Sequence, residues 1–420
     1  MEKITAQQRK RNNRLYIVQA AVEYHISLLM TGSFFAALTV GLGMSDALTG
    51  ILSSVISLGC VFQLLSLMLR PRRSRAFVTT LSVLNQLLFA SLYAIPFLPG
   101  GDRLRIVLFV AVILLAYLIY HIAHPQKVSW MMCWVEDRTR GIFTANMQIF
   151  SLLSGMVFSL AMGAVSDYFR NRGRETAAFL ICGLTVLVWM AVHTALLCRV
   201  TDREICHCAE GGVVQRFASV LRIRKVRRIT VLYVIWHAAN YAAVPFYGTY
   251  QIKELGFSLT LVAVLSVLGC LVRAVVSRAW GNYGDRRSFP VMVRPGFVLA
   301  AVGFAACAFA VPGRGLVPFA IYNLLYGVSQ GAIEIGRTNL IFDVVPEEQR
   351  SDAVALTQSL CGLAGFLSTL VFSAAVTAVQ RAGNTLLGVS CYAQQLVNVV
   401  AMLLALAAAV YVHVALVKRK

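Results

Sequence analysis

Twelve times along this chain, about twenty or more apolar residues follow one another with hardly a charge, and that recurrence limits what the chain can fold into. The runs lie at 15–41, 48–69, 76–98, 104–134, 141–166, 176–198, 229–252, 258–280, 289–311, 316–343, 352–377 and 386–415, here called spans 1 to 12. About twenty helical residues cross the hydrocarbon core of a bilayer. Inside that core there is no water to satisfy backbone N–H and C=O groups, so a spanning segment must be a helix or part of a closed barrel. The apolar periods here are helical and no strand-like alternation persists over several runs, which excludes a β-barrel. Of 420 residues, 58% are hydrophobic and 13% charged, too little charge for the surface of a soluble protein of this size. The basic start, "MEKITAQQRKRNNR", leads into span 1 with no small-residue cleavage site, so the first helix is expected to stay in place. The expected fold is an all-α polytopic membrane protein with twelve transmembrane helices.

The net charge is +20, yet its distribution argues against nucleic acid as a partner. With the N-terminus in the cytosol and the chain alternating, 27 Lys and Arg residues fall on inner segments and eight on outer ones. That asymmetry is the positive-inside rule, and it predicts cytosolic termini in a plasma membrane of bacterial type. The ten cysteines are mostly single and within spans, as small core residues are, and imply no disulfide framework. Cys206, His207 and Cys208 supply three ligand types in an inner loop but lack a fourth at metal-site spacing. Neither a metal nor another cofactor is expected.

The longest polar stretch, 199–228, divides the chain into residues 1–198, a basic cytosolic linker, and residues 229–420. In "VVQRFASVLRIRKVRR", Val213, Phe217, Val220 and Leu221 share one face opposite arginines. This suits a helix lying on anionic inner-leaflet lipid, or simply a basic linker that fixes topology. The two parts resemble each other. "LGMSDALTGILSS" at 42–54 matches "LGFSLTLVAVLSV" at 255–267, and "VEDRTRGIFTANMQIFSLLSG" at 135–155 matches "VPEEQRSDAVALTQSLCGLAG" at 345–365. Two matches at nearly one offset point to duplication of a six-span unit, a pattern of transporters.

With six plus six spans and a long central inner loop, the whole chain resembles the major facilitator superfamily. "GNYGDRR" at 281–287 looks like that superfamily's loop motif, G-x-x-x-D-R-x-G-R, with Gly281, Asp285, Arg286 and Arg287 in gating positions. Gly281 would permit close backbone approach, and Asp285 would accept at a neighbouring helix N-terminus. The equivalent loop in the first half, "RPRRSR", has neither the glycine nor the aspartate, and span 5 lacks the proline of the antiporter signature. The resemblance implies two pseudo-symmetric six-helix bundles, with spans 1, 4, 7 and 10 lining a central cavity.

Those four spans carry the titratable residues. Glu23 lies about nine residues into span 1, roughly 14 Å at 1.5 Å per residue, near the midplane of a core about 30 Å thick. His124 in span 4, His237 in span 7 and Glu334 in span 10 lie at similar depths, and the repeat pairs His124 with Glu334 and Lys127 with Arg337. Intramembrane ionisable groups are costly and usually face an interior or a water-filled cavity. Candidate solute contacts are Gln19 and Glu23; Tyr117 and His121; Trp236, His237, Asn240 and Tyr241; and Tyr322, Asn323, Tyr326 and Gln330. Glu23, His124, His237 and Glu334 are the candidate proton-coupling groups, with Lys127, Arg273 and Arg337 as charge partners. Arg273 has two possible partners, a carboxylate or Asp285. The same residues also fit plainer roles: tyrosines and asparagines as interhelical glue, Lys127 and Arg337 snorkelling to the inner face, His25 bonding a neighbouring helix, and Glu23 and Glu334 in static salt bridges.

Aromatic faces beside amides and hydroxyls suit a small polar organic solute with an apolar side, a sugar-like molecule first. The expected activity is secondary active transport by alternating access, coupled to protons, in a monomer. Multidrug/proton efflux is the alternative. No HExxH, no GxxxxGK[ST] and no Asp-rich cluster at a membrane face supports an enzyme or an ATP-driven pump, and the twofold repeat favours alternation over an open channel.

Overall fold

Hydrocarbon leaves the backbone no partner but itself, and the chain responds by forming helix after helix. The computed structural model describes residues 5–66, 74–132, 134–135, 140–201, 213–346, 349–386 and 389–417. In order, the helices are α1 (Ala6–Leu29), α2 (Gly32–Gly41), α3 (Asp46–Ser66), α4 (Ser74–Leu92), α5 (Asp102–Met132), α6 (Arg140–Arg170), α7 (Glu175–Arg199), α8 (Val213–Arg222), α9 (Arg224–Ala243), α10 (Tyr247–Thr249), α11 (Leu259–Arg287), α12 (Phe289–Cys307), α13 (Leu316–Phe342), α14 (Arg350–Arg381) and α15 (Ala393–Val412). A two-residue antiparallel pair, β1 (Thr385–Leu386) with β2 (Val389–Ser390), closes the turn before α15. Among the described residues, eleven helical stretches are long and apolar enough to cross a membrane, and Asp46–Gly59 of α3 is a shorter apolar one.

Two spans are not single rods. Span 1 is α1 and α2, separated where Thr31 is extended and Gly32 takes φ +60°, a conformation glycine adopts without a Cβ penalty. Span 7 is broken by Pro245, which lies in a 3-10 turn at Val244–Phe246 and leads through α10 into a π turn at Tyr250–Glu254. Proline lacks the N–H that an α-helical ladder needs there.

The repeated "LG-x-S" has a physical cause. Gly43 and Gly256, one repeat apart, both take positive φ, +71° and +66°. Two residues on, the Ser45 hydroxyl accepts from the Leu48 N–H at 3.2 Å, and Ser258 accepts from Leu261 at 3.1 Å. Each copy is thus a left-handed glycine followed by a serine N-cap opening a membrane helix. The second repeat match works through packing. A Cβ at Gly155 would stand 2.4 Å from the Tyr24 ring, and one at Gly365 2.8 Å from the Tyr241 ring, so each glycine admits a tyrosine from a neighbouring helix.

The chain packs as two compact units. The first holds Met1–Met44, Phe62–Glu210 and Ser258–Ala263; the second holds Ser45–Val61, Gly211–Phe257 and Val264–Lys420. In the first unit α1 packs on α6 and α7, and α4 on α5 and α7. One end is sealed by Tyr16, Trp130, Trp134, Phe143 and Leu197. Near the opposite end of α6, Asp167 accepts the N–H groups of Leu259 and Thr260 at 2.9 and 2.8 Å, satisfying donors that a helix start leaves open. In the second unit α12 packs on α13 and α15, and α9 on α14 and α15. Asp46, buried at the start of α3, accepts from Lys253 and Gln380, both at 2.8 Å.

Phe217 and Val220 of α8 are buried and the helix packs against α14 and α9, while Leu221 is exposed. Cys206, His207 and Cys208 lie outside the described residues. The "GNYGDRR" segment differs from a loop, because α11 continues as helix to Arg287. Gly281 has open space around a notional Cβ; the tight approach falls at Gly284, where that atom would meet Met292 and Phe289 at 2.9 Å. Asp285, Arg286 and Arg287 are exposed.

Candidate functional site

In the first unit, polar residues from four helices meet away from the apolar core. Glu23 of α1 is ion-paired with Lys127 of α5, and His124 Nδ1 stands 3.7 Å from the other carboxylate oxygen. The lysine side chain is 3% exposed, the glutamate 21% and the histidine 34%. Position explains the meeting: His124 and Lys127 are three residues apart and share a face of α5, which turns toward Glu23. A small cleft opens on the cluster, lined also by Ser82, Asn85 and Gln86 of α4 and by Tyr120. The Tyr120 ring stacks on His124 at 5.0 Å.

Behind the pair lies a second layer. His193 of α7 is fully buried, and each ring nitrogen has an amide partner: Gln19 at Nε2 and Gln86 at Nδ1, both 3.0 Å. Gln19 thus holds a histidine here and is itself buried. His193, Gln86 and Asn85 are functional candidates that sequence reasoning passed over. His193 is a lone imidazole in an apolar run of span 6, and only the packing of α1, α4 and α7 reveals its neighbours.

Other candidates in this unit have packing roles. His25 bonds Ser154 Oγ at 3.1 Å, stacks on Phe158 at 4.7 Å and meets the edge of Trp189 at 5.1 Å. It ties α1 to α6 and α7. The Tyr117 hydroxyl donates to the Met30 carbonyl at 3.3 Å, and His121 is buried beside Tyr117 and Tyr120. Thr31 lies beyond the end of α1 and donates to the Ser27 carbonyl.

The second unit has its own cluster on α9 and α13. Glu334 pairs with Arg337 at 2.6 Å, one turn apart on α13, with His237 in electrostatic reach. Tyr322, Tyr326, Gln330 and Glu334 follow one another at four-residue spacing along α13, and the two tyrosines stack at 4.9 Å. The Tyr326 hydroxyl also donates to Asn240 Oδ1 at 2.6 Å. His237 donates through Nδ1 to the Tyr233 carbonyl at 2.9 Å and stacks near Tyr241. Asn323 donates to the Phe319 carbonyl. Trp236 is 2% exposed and packs against Phe297 and Phe304, with Tyr326 stacked beyond. Tyr322 is buried as well, and Tyr247 donates to Asn398.

Membrane-length helices packed in two units, each with polar and charged groups buried among its helices, define an integral membrane protein of the polytopic, transporter kind. A sequence profile of the Major Facilitator Superfamily matches residues 20–369, and the chain belongs to that superfamily. Its fold is similar to that of the nucleoside transporter NupG, at 11% identity and TM-score 0.72 over 96% of this chain and 98% of that one. It is also similar to a bacterial homologue of the human lysosomal transporter Spinster, at 11% identity and TM-score 0.71 over 97% of both chains. An auto-inhibited peptide transporter of the POT family aligns at 13% identity and TM-score 0.68 over 96% of both chains. No curated protein sequence matches the chain.

Proposed function

We propose that this chain is a secondary active transporter that moves a small polar organic solute, sugar-like in chemistry, by alternating access coupled to protons. The Glu23–Lys127 pair with His124 beside it, placed at a polar cleft, is the observation that carries this reading. In the closed pair the ammonium neutralises the carboxylate. When the helices part, a proton can take the lysine's place on Glu23, and Lys127 is released to bond solute or backbone. Glu23 with its proton is neutral, and the ammonium left behind has to be met by the solute or by the polar groups of the cleft before a low-dielectric interior can close on it; that requirement links solute passage to proton passage. His124 and His237 place an imidazole beside Glu23 and within reach of Glu334, respectively. Tyr326, bonded to Asn240, and Gln330 one turn further along α13 present hydroxyl and amide groups to a polyhydroxylated solute.

The expected setting is a plasma membrane with both termini in the cytosol and the arginines of the 199–228 linker near anionic headgroups. The test is purified full-length protein in liposomes, screened with neutral, anionic and cationic metabolites for solute-dependent proton movement. Flux with at least one polar solute, abolished by Glu23→Gln, is the expected outcome. Proton-independent movement of every transported solute would refute the coupling, and no transport of any solute would refute the transporter reading.

A further inference from the structure

Two ion pairs, Glu23 with Lys127 and Glu334 with Arg337, neutralise four of the charges that lie deep in spans. Arg273 has no such partner. It stands midway along α11, about 21 Å from Leu259 at 1.5 Å per residue and about 10 Å from residue 280, the inner end of span 8. No carboxylate among the described residues pairs with it. Asp285, the partner that the sequence left open, is exposed and about 18 Å further along the same helix.

Arg273 is half-buried. Val264, Leu271 and Val275 are 47%, 44% and 78% exposed and mark the outward stripe of α11. At about 100° per residue, Arg273 falls half a turn away from them. That inward face is pressed on α13: a Cβ on Gly327 would lie 2.4 Å from the Gly269 carbonyl oxygen, and Trp280 Nε1 donates to the Val328 carbonyl at 3.0 Å. Tyr326, next to Gly327 in α13, lies within electrostatic reach of Arg273 and donates its hydroxyl to Asn240 Oδ1 at 2.6 Å.

An unpaired guanidinium in a span is expensive to insert and, where it occurs, usually marks a substrate or ion path. Its planar fork fits a carboxylate or a phosphate, and gains most from either where water is scarce. Resting on the transporter reading above, we propose that Arg273, with Tyr326, Asn240 and Gln330 beside it, forms an anion-reading subsite, and that the solute carried bears a carboxylate or phosphate group. The polar body of the solute then lies against the tyrosine and the amides, and an acidic sugar derivative fits better than a neutral sugar.

The test uses the full-length protein in detergent, melted in inorganic phosphate, in benzoate and in chloride of equal ionic strength, beside Arg273→Gln and Arg273→Lys. At millimolar concentration, phosphate or benzoate is expected to raise the melting temperature of the parent by several degrees over chloride. The anion with the larger shift tells phosphate from carboxylate chemistry. Arg273→Gln is expected to lose the shift, Arg273→Lys to keep part of it, and Arg273→Gln without anion to melt no lower than the parent. An equal shift in parent and Arg273→Gln overturns the proposal, as does no shift in the parent with either anion. Should the variant fail to fold, phenylglyoxal labelling of the parent, read at Arg273 by mass spectrometry, is expected to slow several-fold in the effective anion. Unchanged labelling overturns the proposal. In liposomes, a neutral solute driving Arg273-independent proton flux defeats this inference and leaves the transporter reading standing, whereas silence from every solute class defeats the transporter reading itself.

Discussion

Removing Lys127 alone should destabilise the first unit far more than removing it together with Glu23. The lysine side chain is 3% exposed and the glutamate 21%, so Lys127→Met leaves a carboxylate mostly shielded from water and without its ammonium. Breaking a buried pair by deleting one partner costs about 3–5 kcal/mol. Glu23 keeps some contact with water and has His124 at 3.7 Å, so a figure of about 3 kcal/mol is expected here. Glu23→Gln alone leaves the buried ammonium unpaired and should cost a similar amount. The double variant removes both charges, and replacing a buried pair by uncharged groups is often near neutral. With single losses of about 3 kcal/mol each and a double loss near zero, the cycle should show a coupling energy of about 6 kcal/mol, well above the roughly 0.5 kcal/mol within which independent sites add. The assay is equilibrium unfolding of the four proteins in mixed micelles. Additive losses would show that the pair is not made, and the proposed exchange of lysine for proton would fall with it.

Gly155→Ala should destabilise by about 1–3 kcal/mol, the usual cost of overpacking, because its Cβ would meet the Tyr24 ring at 2.4 Å; a melting curve checks this, and Tyr24→Ala should restore part of the loss. Asp167→Ala removes the acceptor of two backbone N–H groups at the start of α11 and should cost about 1–2 kcal/mol, with Asp167→Asn milder; an unchanged melting temperature in both would contradict the cap. His25→Phe should lower stability by about 1 kcal/mol, through loss of the Ser154 bond, while leaving the pH dependence of transport in place; a shifted pH profile would make His25 part of the coupling.

The spans were legible because apolar length is a strong signal, and the repeat because its positions carry backbone tasks. Gly43 and Gly256 supply positive φ, and Ser45 and Ser258 cap helices; such needs survive where side-chain chemistry diverges. The break at Thr31–Gly32 was not legible, since glycine in an apolar run is as often tolerated within a helix as it ends one. Around the candidate site, Glu23, Lys127, His124, Glu334 and Arg337 stood out as charged or titratable groups in hydrocarbon, and spacing alone made Glu334 and Arg337 neighbours on one helix. The Glu23–Lys127 contact and the Gln19–His193–Gln86 chain depend on which helices touch. Polar residues single out a span but do not name the span they meet. Trp236 shows the converse: at cavity depth by count, it is spent on the packing of α9 against α12.

The most direct measurement compares parent and Glu23→Gln in liposomes loaded with a transported solute, by two readouts of one preparation. Solute exchange at equal pH on both sides needs only the alternation of the site, whereas uphill accumulation under an imposed pH gradient needs the proton to travel too. Glu23→Gln should retain the exchange and lose the gradient-driven accumulation. Accumulation at the parent's level in that variant would contradict Glu23 as the coupling group.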